Sequence, residues 1–87
     1  MVRFKTIIID DERLARNDLK NMLLEFKNID VVGEADSVAS ALKLIDAKDP
    51  DLLFLDIQMP GESGFELLDK IDLKAKVIFV TAFDEYA

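Results

Sequence analysis

Apolar positions along the chain follow two rhythms. Phe4–Ile9 and residues 52–55 are almost unbroken apolar runs, and such runs read as strands buried on both faces of a parallel sheet. With the second run taken from Asp51 to Leu55, residues 30–35 and Lys76–Val80 complete a set of four strands. Between them the spacing turns helical. Residues 12–27 place Ala15, Leu19, Met22, Leu23 and Phe26 on one face, with Arg13, Arg16, Lys20 and Lys27 largely outside it. That face is expected to be core. Ser37 caps a second helix whose face is Val38, Ala41, Leu42 and Ile45, and Asp49-Pro50 ends it. Residues 58–62 contain Pro60 and Gly61 and read as a loop. Ser63 and Glu66 form a capping box for a third helix carrying Phe65, Leu68 and Ile71. Asp84 caps the start of a fourth. Strand and helix alternate throughout, which predicts an α/β fold with a parallel sheet, right-handed crossovers and helices on both faces.

Three carboxylates stand where this pattern matters for chemistry. Asp10 and Asp11 follow the first apolar run, and Asp56 follows the third. In open α/β sheets, ligands bind beyond the carboxyl ends of the strands. Acids on two neighbouring strands would form one negative pocket there, and crowded carboxylates either bind a cation or take up a proton. A hard divalent cation such as Mg²⁺ suits oxygen ligands. Asp56, on a stiff strand facing the open end, has three possible roles: metal ligand, base or nucleophile. Thr81 ends the fourth strand and offers a hydroxyl to the same pocket. Asp10 or Asp11 alone would more often be a turn former or helix cap; Asp56 and Thr81 at matching strand ends favour a shared site.

Composition narrows the field. The chain has 87 residues, enough for one small domain. Its net charge of -7 disfavours a nucleic-acid-binding surface and favours cations and basic partners. It contains neither cysteine nor histidine, which excludes disulfides, thiolate or imidazole zinc sites and His-based proton transfer within this chain. No run approaches the about 20 apolar residues that span a bilayer, and no secretory leader pattern is present, so a cytoplasmic location without membrane contact is expected.

Taken together, Ile7-Ile8-Ile9-Asp10-Asp11-Glu12, then Asp51 through Gly64 with Asp56, Pro60 and Gly61, and finally Val77 through Ala82 resemble the receiver domain of two-component response regulators. The resemblance runs from about Phe4 to Ala87. It implies a flavodoxin-like doubly wound sheet, here of four strands in the order 2-1-3-4 with three helices and the start of a fourth. It makes Asp56 the phosphoacceptor and Asp10 and Asp11 the acidic pair that binds Mg²⁺, Asp11 more directly. The Gln58 backbone carbonyl would be a further ligand, Thr81 the switch hydroxyl, and Ala82 the small residue that keeps the site accessible. The implied donor is a phosphohistidine on a sensor histidine kinase. The ending Thr81-Ala-Phe-Asp-Glu-Tyr-Ala87 looks like regulators of the LytTR class, whose output domain binds DNA.

The family has a fifth strand bearing a lysine that pairs with the phosphoryl group, and this chain supplies no counterpart. Lys70, Lys74 and Lys76 fall in the third helix, the next loop and the start of the fourth strand, away from the pocket. Residues 1–87 are therefore expected to be a receiver fragment with weak stable phosphorylation. The apolar edge Val77-Ile78-Phe79-Val80 is expected to drive self-association. The alternative reading is a phosphorylation-incompetent module that works only through protein contacts. An aspartyl phosphatase is disfavoured, because such enzymes usually carry a second acid at the position held here by Gln58.

Overall fold

In a computed structural model, the described residues are 2–56, 58–59, 62–63, 67–68 and 74–80. Their elements run β1 (Phe4–Ile9), α1 (Arg13–Leu23), β2 (Ile29–Ala35), α2 (Val38–Lys48), β3 (Leu52–Asp56), β4 (Gln58–Met59), β5 (Glu62–Ser63) and β6 (Lys76–Val80). Four strands form one sheet in the order β2-β1-β3-β6, with every pairing parallel. Since β6 is the fourth sheet strand in chain order, this is the expected 2-1-3-4 arrangement.

The unbroken apolar runs occupy the centre of the sheet, as the rule for two-sided burial requires. Ile7, Ile8, Ile9, Leu53 and Leu55 are at most 1% exposed. Each such side chain contributes about 1.5–3 kcal/mol on burial. Alternation divides them between two cores. Ile7, Ile9, Leu53 and Leu55 pack with Val38 and Ala41 of α2, and with Met59 and Leu67. Ile8 and Phe54 point the other way and pack with Leu19 and Leu23 of α1. Helices therefore cover both faces.

Local signals explain the ends of α2. Ser37 and Ser40 form a reciprocal capping box: Ser40 N–H donates to Ser37 Oγ at 3.1 Å, and Ser37 N–H to Ser40 Oγ at 3.2 Å. At the far end, Asp49 adopts the left-handed conformation with φ 49° and ψ 62°. The following Pro50, which is buried, disfavours a further right-handed helical residue before it. Asp51 then ties three strands together. It exchanges bonds with Lys5, whose N–H donates to Asp51 Oδ2 at 2.9 Å, and its carbonyl accepts from Lys76 N–H at 3.0 Å.

Three expectations need correction. The helix expected over residues 12–27 is Arg13–Leu23. After Leu23 the bonds tighten to three-residue spacing, from Phe26 N–H to the Leu23 carbonyl and from Ile29 N–H to the Phe26 carbonyl. The chain turns there because Phe4 N–H must meet the Asn28 carbonyl to start the β1–β2 ladder. Consequently, Met22 and Phe26, expected in the core, are 59% and 53% exposed, and only Leu23 of that cluster is buried. The loop expected over residues 58–62 is partly a short antiparallel ladder, β4 with β5, pairing Gln58 with Ser63 and Met59 with Glu62. Ser63 thus lies in a strand, while Phe65, Glu66, Ile71 and Asp84 fall outside the described residues; Leu67 and Leu68 are helical. Among the described residues, no helix is long and apolar enough to cross a membrane.

Candidate metal centre

The site is built by register. Ile9 pairs with Leu55 across β1 and β3, so Asp10 and Asp56 occupy the next level at the carboxyl ends of neighbouring parallel strands. Asp56 is the last residue of β3 and 3% exposed; Asp10 is 9% exposed and Asp11 partly buried. One ligand oxygen from each of Asp10, Asp11 and Asp56 lies within 4.8 Å of the other two. The structure thus brings together the three carboxylates singled out in the sequence.

The turn carrying Asp10 and Asp11 is held at several points. Asp10 N–H donates to the Ala35 carbonyl at 3.0 Å, extending the β1–β2 ladder by one residue. Glu12 N–H donates to Asp10 Oδ1 at 2.9 Å, which sets the Asp10 carboxylate while Glu12 opens α1 in an extended conformation. The Asp10 carbonyl accepts from Arg16 Nη1 at 2.8 Å. Gln58 begins β4 two residues beyond Asp56. On the far side, β6 ends at Val80, the register partner of Asp56; Thr81 and Ala82 follow it in sequence and lie outside the described residues.

One set of residues beside the site escaped the sequence reading. Arg16 and Lys20, assigned to the outer part of α1, both grip Glu34 of β2: Arg16 Nε reaches Oε1 at 2.7 Å and Lys20 Nζ reaches Oε2 at 2.5 Å. Lys20 and then Arg16 hold the Glu34 carboxyl below the ordinary glutamate range. The sequence offers a partial signal: cations four apart on one helix, and Glu34 as one of two acids, with Asp30, in the β2 strand.

The donor set fits a hard cation. It consists of carboxylate oxygens at short mutual distance, without nitrogen or sulfur, and with two of the three residues withdrawn from water. A parallel open sheet with helices on both faces and an acid cluster at its carboxyl edge defines a ligand-binding α/β module of doubly wound type. The comparisons with known proteins specify which. A family model described as the response regulator receiver domain matches residues 6–87, and the chain belongs to that family. It is 48% identical over 83 residues to an uncharacterized response regulatory protein of Vibrio cholerae, covering 93% of this chain and 35% of that protein. It is 42% identical over 86 residues to the sensory transduction protein LytT of Bacillus anthracis, covering 95% of this chain and 35% of LytT. It is also 44% identical over 85 residues to the transcriptional regulatory protein BtsR of Escherichia coli, covering 95% and 36% respectively. The chain therefore spans about a third of the length of these curated relatives. Among solved structures, the response regulator PhyR of Brucella abortus matches with a TM-score of 0.84 at 35% identity, over 94% of this chain and 35% of PhyR. The response regulator domain of Thermotoga maritima CheB matches with a TM-score of 0.83 at 29% identity, over 100% of this chain and 66% of that chain.

Proposed function

We propose that this chain is the phosphoacceptor module of a two-component signalling system, in which Asp56 receives a phosphoryl group from a phosphohistidine on a sensor histidine kinase. The observation that carries this reading is the convergence of Asp10, Asp11 and Asp56 within 4.8 Å at the carboxyl edge of a receiver-type sheet. Asp56 is the nucleophile: a carboxylate oxygen attacks phosphorus, the bond from phosphorus to the imidazole nitrogen breaks, and that nitrogen takes up a proton. Water later cleaves the acyl phosphate and restores the carboxylate. Asp11, Asp10, Asp56 and the Gln58 carbonyl are the groups that would hold Mg²⁺, which when bound supplies the positive charge that lets an anion approach an anionic donor. Thr81 donates its hydroxyl to a phosphoryl oxygen, and Ala82 leaves room for the donor. The stiff β3 strand holds Asp56 in place for attack.

The module works as a switch rather than as an enzyme turning over a separate substrate. Its output, in a cytoplasmic parent protein, is proposed to be transcriptional through a DNA-binding domain, a reading supported by the likeness to LytT and BtsR. Incubation with a small phosphodonor and Mg²⁺ is expected to add the mass of one phosphoryl group to a minor, short-lived fraction of the chains. Asp56→Asn or removal of the metal with a chelator abolishes the gain; labelling that survives both would overturn the proposal.

Self-association belongs to the same reading. Among the described residues, β6 has one strand neighbour, β3, and its Ile78 and Phe79 are 44% and 43% exposed. An exposed apolar edge invites strand pairing with a second copy. Light scattering is expected to show mass rising with concentration, and Ile78→Lys to lower it; a constant monomer mass for both would refute the edge as an interface.

A further inference from the structure

The hydrogen bonds around the acid pocket point to a residue outside it. Arg16 is one turn into α1, and its side chain is 14% exposed. Its guanidinium is used at two ends: Nη1 donates to the Asp10 carbonyl at 2.8 Å, and Nε to Glu34 Oε1 at 2.7 Å. The carbonyl it holds belongs to the peptide linking Asp10 to Asp11, so its orientation determines where the Asp11 side chain leaves the backbone. The other oxygen of Glu34 is taken by Lys20, so the acceptor is itself braced from α1.

Glu34 reaches this position through an irregularity in the sheet. The β1–β2 register slips between Thr6 and Ile7, from Thr6 opposite Val31 to Ile7 opposite Gly33. Side chains alternate along a strand, so a slip of one residue reverses the faces beyond it. Before the slip, Val31 packs on the α1 side; after it, Glu34 rather than Gly33 faces that side, while Gly33 lies under Leu44 of α2. The bulge thus brings an acid to the two cations of α1, and Arg16 ties β2 to the backbone of the acid-bearing turn.

We propose that Arg16 is a positioning residue for the metal centre: as a fork braced by Glu34, it fixes the Asp10–Asp11 peptide and with it the geometry in which the acids receive a divalent cation. This rests on the reading of Asp10, Asp11 and Asp56 as a Mg²⁺ site. Two effects of Arg16 oppose each other. Its charge, near the pocket, repels a cation; its fork orders the ligands. If positioning dominates, removing it weakens metal binding, whereas if charge dominates, removing it strengthens binding. Arg16→Lys separates them further, since an ammonium keeps the charge but presents no planar fork to span a carbonyl and a carboxylate.

The test uses the 87-residue chain and Mg²⁺ alone, followed through backbone amide shifts, with amide hydrogen exchange at Asp10 and Glu12 measured without metal. Arg16→Gln and Arg16→Lys are expected to weaken Mg²⁺ binding about tenfold, as changes to groups that orient metal ligands commonly do. Faster exchange of the Glu12 amide is expected in both, and Glu34→Gln should give a smaller change in the same direction. Unchanged or tighter Mg²⁺ binding in folded Arg16→Lys, with Glu12 exchange as in wild type, would overturn the positioning role while leaving the metal site intact. An original chain whose Asp11 and Asp56 amides ignore Mg²⁺ would instead overturn the site reading, and this inference with it.

Discussion

Glu34 sits in a largely apolar strand, and two cations explain how it is accommodated there. Lys20 and Arg16 each take one of its oxygens and lower its pKa from the ordinary value of 4.5. The unfolded chain then binds more protons than the folded one across the interval between the lowered value and 4.5. The stabilising contribution is therefore complete above that interval and disappears as the pH falls through the folded-state value. In urea unfolding measured across the acid range, Glu34→Gln is expected to show a shallower loss of stability than the original chain; superimposable profiles would contradict the pairing. Asp49 is the other residue whose conformation yields a prediction. With φ 49° it occupies a region that β-branched residues avoid. Asp49→Asn is expected to be close to neutral and Asp49→Val to cost about 1–2 kcal/mol in the same measurement. Neither feature was evident beforehand: the sequence marks Asp49-Pro50 as a helix end without specifying the conformation, and Glu34 acquires its partners only through tertiary contact.

At the scale of elements, the strands were far more legible than the ends of α1. Phe4–Ile9 and Lys76–Val80 match their predicted bounds. In β1 the reason is burial of Ile7, Ile8 and Ile9 on both faces of the sheet, whereas β6 pairs with β3 alone among the described strands and its Ile78 and Phe79 remain exposed. Periodicity carried the α1 prediction through Phe26, yet the helix ends at Leu23. The competing demand was the sheet, which needs Asn28 beside Phe4; that closure is long-range and leaves no local mark. The bulge in β2 was equally hidden, although Gly33 in a strand interior is the kind of residue that marks one. A Cβ on Gly33 would come within 2.7 Å of Leu44 Cδ2, the end of a flexible side chain. Gly33→Ala is thus expected to be mild, whereas Gly33→Val forces α2 outward and costs about 1–3 kcal/mol by overpacking. A Val variant as stable as the original would show that α2 does not sit as closely on β2 as the structure places it.

For the whole molecule, the sheet order and the acid pocket follow from one rule: apolar strands in alternation with helices place whatever ends those strands along one edge. That is why the Asp10, Asp11 and Asp56 cluster could be read from a linear sequence with residues 10 and 56 far apart, and why the family match supports the same arrangement. What the linear sequence did not reveal is the scaffold behind the pocket, the fork of Arg16 and its brace on Glu34, because ion pairs depend on which faces of neighbouring elements meet. The central claim is that Asp56 itself accepts the phosphoryl group. The most direct measurement is to treat the chain with a small phosphodonor and Mg²⁺, reduce it at once with borohydride, and sequence the peptides by mass spectrometry. An acyl phosphate on aspartate is converted to homoserine by this reduction, so the account predicts homoserine at position 56 and aspartate retained at positions 10 and 11. Homoserine at position 10 or 11, or phosphoryl incorporation on a hydroxyl with Asp56 unchanged, would contradict it.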